Sequence, residues 1–149
     1  MGGADQNPQY LEGALELTVN GVPLLTSAMW DYIDELWAYI INALEGLTSK
    51  EKAHTYFPDQ AIKLELKRLR AGMMKISVSS ASGKLNNSTK TQESQLLRKL
   101  LHGSEKFFLE VHELDSQGRL QCGYEIERCR ALQSALLAPS AEEPWQDGT

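Results

Sequence analysis

The sequence predicts an α+β domain. An antiparallel sheet of four to five strands, made from an N-terminal hairpin and a central meander, packs one face against an amphipathic helix near 28–46 and C-terminal helices. Three observations predict it. Apolar and polar residues alternate over 15–19, 62–66 and 74–78, the period of strands with one buried face. Apolar residues recur at three- and four-residue steps over 29–44 and again over 96–114, the period of helices with one buried stripe. Turn formers punctuate these runs at Asn20-Gly21, Pro58-Asp59, Gly72 and Ser82-Gly83.

Residues 1–12 read as a flexible lead-in, 13–137 as one domain, and the acidic, proline-containing 138–149 as a mobile tail. "ALELTVNGVPLL" reads as a hairpin. Leu15, Leu17 and Val19 alternate with Glu16 and Thr18, and Asn20-Gly21 suits a two-residue turn because both residues accept positive φ. Pro23 limits the return strand to a short edge piece.

"SAMWDYIDELWAYIINALEGL" then predicts a helix capped by Thr26 or Ser27 and ended by Gly46. Met29, Trp30, Ile33, Leu36, Trp37, Ile40, Ile41 and Leu44 form its apolar stripe, so the tryptophans read mainly as core. Asp31, Asp34, Glu35, Asn42 and Glu45 fall on the opposite side.

"HTYFPDQ" reads as a strand end and turn. "AIKLELKRL" and "MMKISVSS" follow as alternating strands, and "KLNNS" as a short third strand of a meander with one wet face. Thr89 and Gln92 have capping-box spacing, which starts the next helix near Thr89. Its apolar phase runs from Leu96 to Leu114. Gly103-Ser104 interrupts the stripe, which suits either close packing or a break into two helices. A rival pattern makes "FFLEVHEL" and "RLQCGYEI" a hairpin around Asp115–Gly118. Residues 125–137 read as a final helix.

Composition narrows the function. No apolar run reaches bilayer length. "MGGADQNPQY" lacks a basic segment followed by an apolar one, so the expected location is the cytoplasm, with Cys122 and Cys129 reduced. Gln6 stands where a myristoylation signal needs Ser or Thr. If helical, the two cysteines would lie about 10 Å apart along the axis, too far for a disulfide. Small buried hydrophobes is their expected role.

Chemical signatures are missing. "VHELD" lacks the second histidine of the zinc-protease motif, and no C-x-x-C occurs, so no metal site and no cofactor are expected. No G-x-S-x-G elbow, P-loop or dinucleotide fingerprint is present. "SSASGKLNNSTK" is better read as a hairpin turn.

Charge is the residual signal. The chain has a net charge of −5, but residues 1–49 hold seven acids and no base, residues 50–106 hold twelve bases and five acids, and residues 107–149 hold eight acids and three bases. Asp31, Asp34, Glu35 and Glu45, with no lysine or arginine among them, are the candidate partner-binding residues. Asp31 and Glu35 are a like-charge pair that helix stability alone does not favour. The function expected from this is a small cytoplasmic, non-enzymatic protein-binding domain that steers a basic protein partner onto its acidic helix face, as an inhibitor or immunity protein does.

Two alternatives stand beside it. Lys63, Lys67, Lys75, Ser77 and Ser79 would line the outer sheet face, with Arg68, Arg70 and Lys84 near its turns, and could meet a nucleic-acid backbone. Against this, no aromatic residue is assigned to that face for stacking, and sheet lysines commonly discourage edge pairing. A small enzyme with a pocket between sheet and helices would draw on His54, Tyr56, Asp59 and His112. Self-association of acidic helix with basic sheet would use both charge blocks at once.

Overall fold

In the computed structural model, which describes residues 12–29, 31–114 and 122–137, the alternating centre of the chain forms a four-stranded antiparallel meander. The expected lead-in up to residue 11, Trp30, the Asp115–Gly118 turn and the 138–149 tail lie outside the described residues. Elements run β1 (Glu12–Gly13), β2 (Leu17–Val19), β3 (Val22–Leu25), β4 (Asp31–Tyr32), α1 (Ile33–Gly46), β5 (Lys52–Tyr56), β6 (Ile62–Arg68), β7 (Met73–Ser80), β8 (Asn86–Gln92), α2 (Glu93–Leu114) and α3 (Gly123–Leu136).

The molecule is α+β, with helices on one sheet face. Ile62, Leu64 and Leu66 of β6 and Met74, Ile76 and Val78 of β7 are buried on that face, as their alternation predicts. Fully burying such a side chain is worth roughly 1.5–3 kcal/mol. From α1, Leu36, Trp37, Ile40, Ile41 and Leu44 meet them, and α2 adds Leu96, Leu97, Leu100, Leu101 and Phe108. The third helix packs on α1 and α2 and seats Ile126, Cys129 and Leu132.

The Asn20-Gly21 turn forms as expected, with φ of 51° and 81°. The hairpin β2–β3 remains a two-stranded sheet of its own. It packs against β7 and β8, held by the Asn20 amide donating to the Lys90 carbonyl and by Lys99 Nζ donating to Thr18 O at 3.0 Å.

Two boundaries differ from expectation. Helix α1 starts at Ile33 rather than at residue 28, because Asp31 and Tyr32 are extended and pair with Glu12–Gly13. Asp31 Oδ1 accepts its neighbour's amide, Tyr32 N, at 2.6 Å, which offers the backbone an alternative to the first helical turn. Thr89 is inside β8, paired with Ile76, so it caps no helix; α2 begins at Glu93. This helix is then continuous through Gly103-Ser104 to Leu114, which settles 104–114 as helix rather than hairpin. Among the described residues, no helix is long and apolar enough to cross a membrane.

Candidate functional site

The four predicted acidic residues do not form one open face. Asp31 is 4% exposed, in β4, and both its carboxylate oxygens accept the amide of Asp59 at 3.1 Å. It fastens the approach to α1 onto the β5–β6 loop. Glu45 is exposed but engaged: its Oε1 accepts Arg128 Nη2 of α3 at 2.7 Å. The same nitrogen reaches Asn42 Oδ1 at 2.7 Å, so one arginine covers the end of the expected acidic stripe. Asp34 and Glu35 remain on the first turn of α1, half-buried. Burial, then the charges of Asp34 and Asp31, push the Glu35 carboxyl above its ordinary range.

On the other side, the sheet register assembles a surface that the sequence shows only in pieces. Lys52 of β5 pairs with Lys67 of β6, Lys67 with Lys75 of β7, and Lys75 with Lys90 of β8. Four lysines therefore form one row across all four strands on the face away from the helices. At the usual strand spacing the row spans about 14 Å. The next row on this face is His54, Glu65, Ser77, Ser88, and the third is Tyr56, Lys63, Ser79, Asn86. Among the described residues the acid on this face with an ion pair is Glu65, which meets Lys52 at 3.5 Å. Lys63, Lys67, Lys75 and Lys90 have none among the described residues.

The expected absence of aromatic residues from this face is corrected by strand β5. Its alternation turns His54 and Tyr56 to the same side as the lysines. Tyr56 is 54% exposed, and the two rings meet edge to face with centroids 5.5 Å apart. Reading "HTYF" only as a strand end hid them, and reading "KLNNS" as the whole last strand hid Lys90.

Not every base of the central segment belongs to this surface. Arg68 turns inward. Its Nη1 donates to Leu47 O at 2.6 Å and Lys50 O at 2.8 Å, while Nε donates to Glu93 Oε2 at 2.9 Å. It ties the end of α1 to the start of α2. Arg70 and Lys84 are exposed at the two strand turns.

Other chemistry finds little support in the geometry. Among the described residues no group of three or more His, Cys, Asp or Glu side chains could hold a metal ion. Both cysteines are buried thiols, and no disulfide joins them to each other. Burial pushes the Cys129 thiol up, away from a reactive thiolate, and it contacts Ser104 Oγ at 3.2 Å. The residues of the pocket alternative are dispersed: His54 and Tyr56 on the open sheet face, Asp59 in the β5–β6 loop, and His112 on the last turn of α2. A cleft of about 300 Å³ runs along α2 between His102 and Glu113. At its wall, Gln133 and Arg130 donate to Glu105 and hold its carboxyl below the ordinary range. Comparison with known protein families, curated proteins and solved structures finds no match to this chain.

Proposed function

We propose that this is a binding domain that recognises its partner by charge, and that its working surface is the open lysine-bearing face of β5–β8, which takes an acidic macromolecule. The observation that carries the proposal is the row Lys52–Lys67–Lys75–Lys90. Like charges directly opposite on neighbouring strands destabilise a sheet. Protection of sheet edges accounts for Lys52 and Lys90, on the outer strands β5 and β8. It does not account for Lys67 and Lys75, which stand on the inner strands. A field that works against folding has a reason in binding, where clustered charge speeds encounter with a partner of opposite sign.

The test separates stability from binding. Lys67→Glu places a carboxylate between Lys52 and Lys75, and the new cross-strand pairs should stabilise the fold by roughly 0.2–1 kcal/mol. The same substitution should abolish salt-sensitive retention of the full chain on heparin. Unchanged retention, or no retention of the native chain at low salt, would refute the proposal.

A second reading, docking of a basic protein in the manner of an inhibitor or immunity protein, is favoured by Asp34 and Glu35. Glu35 ionises against burial and two nearby carboxylates, and a cation placed there would relieve that. Asp31 is buried and Glu45 is bound by Arg128, so the reading draws its support from the first turn of α1. Binding of polylysine that Asp34→Asn with Glu35→Gln removes would support this reading; binding indifferent to both changes would sink it.

A further inference from the structure

We infer that the ligand of the open sheet face is single-stranded nucleic acid, its phosphates held along the lysine row and a base stacked on Tyr56. The inference rests on the charge reading above and adds the occupant. Three features of the face point the same way. The lysines form a line rather than a cluster, which suits a chain of evenly spaced negative charges. Tyr56 stands four residues along β5 from Lys52, about 13 Å from that row at the usual rise, with more than half its surface in water. An exposed aromatic ring on a basic surface is the platform on which an unpaired base stacks, and the His54 ring lies beside it at 83°. Between the two rows lie His54 and Glu65 on β5 and β6 and Ser77 and Ser88 on β7 and β8, and Glu65 is paired with Lys52, so the low crossing for a strand is the serine side of the face. An acidic protein segment would explain the lysines but would give Tyr56 no partner. A duplex would keep its bases stacked away from the ring.

The experiment measures binding of the full chain to a fluorescent oligouridylate, with inorganic polyphosphate, duplex DNA and polyglutamate as competitors. If the four lysines neutralise four phosphates, log K against log salt should fall with a slope of about −3 for a single strand. Tyr56→Ala should weaken the oligonucleotide by roughly fivefold or more while leaving polyphosphate binding unchanged, and Tyr56→Phe should restore it. Thermal unfolding of each variant controls for the fold, since Tyr56 lies on an edge strand outside the core. Polyphosphate or polyglutamate competing as well as oligouridylate, with Tyr56→Ala neutral, would overturn the nucleic-acid inference and leave the charge reading standing. Failure of all polyanions to bind would overturn both.

Discussion

Gly103 of α2 lies against the indole of Trp37 of α1 so closely that a Cβ atom at 103 would stand 2.9 Å from Cη2. Helix propensity alone would favour alanine there by about 1 kcal/mol. The contact reverses that sign, because the indole is 5% exposed and boxed by Phe107 at a centroid distance of 6.3 Å. Overpacking of this kind costs about 1–3 kcal/mol. Gly103→Ala is therefore expected to destabilise the protein by roughly 1 kcal/mol net in urea unfolding, and Gly103→Val by more. A stabilised Gly103→Ala variant would mean that α1 and α2 do not approach here.

The bond from the Asp59 amide to Asp31 makes a separate prediction. Hydrogen bonds to a charged acceptor are worth about 1.5–3 kcal/mol, less where the donor left behind can reach water, as on the exposed Asp59. Asp31→Ala should lower stability by up to that amount. Because the carboxylate faces the β5–β6 loop rather than solvent, polylysine binding at saturating folded protein should lose only the field of one buried charge, far less than the loss in stability. Denaturant titration beside a polylysine binding curve distinguishes the two effects.

Helix α1 was legible because Leu36, Trp37, Ile40, Ile41 and Leu44 keep strict helical phase, and β6 and β7 were legible because Leu64, Leu66, Met74, Ile76 and Val78 alternate against polar neighbours. The last strand was not. "NNSTKTQ" buries only Thr91, so it carries almost no apolar alternation, and its Thr89 and Gln92 mimic a cap. Asp31 misled for a related reason. It keeps phase with Asp34 and Glu35, and nothing in its neighbours announces that the helix begins two residues later. The lysine row depends on register between strands, a property no single segment contains. Lys67 and Lys75 were visible as outward residues, but their alignment with Lys52 and Lys90 required the pairings of β5 and β8.

The β6–β7 turn holds a third prediction. Ala71 has φ 59° and precedes Gly72 at φ 72°. A side chain in the left-handed region costs about 1–2 kcal/mol, and Ala71 is exposed, so no packing offsets it. Ala71→Gly should raise the stability by up to about 1 kcal/mol, and Ala71→Asn by a similar amount, measured as a shift in the urea midpoint at unchanged slope.

Glu35 carries the pH dependence of the acidic end of α1. Its carboxyl is raised by burial and then by Asp34 and Asp31, so the folded protein binds its proton more tightly than the unfolded chain does. The stabilising contribution is thus fully present below the ordinary glutamate range and is lost as pH rises through the elevated folded value. At neutral pH the ionised side chain works against the fold. Glu35→Gln removes that charge, and like-charge contacts on a helix are worth on the order of a few tenths of a kcal/mol. The variant should be more stable than the native protein at pH near 7 by about that much. The advantage should shrink as pH falls and disappear once Glu35 is protonated in both states. Urea unfolding of both proteins at neutral and acidic pH measures this directly; a variant less stable than the native protein at neutral pH, with a deficit that vanishes toward acid, would show that Glu35 gains a cationic partner in the fold rather than facing two carboxylates.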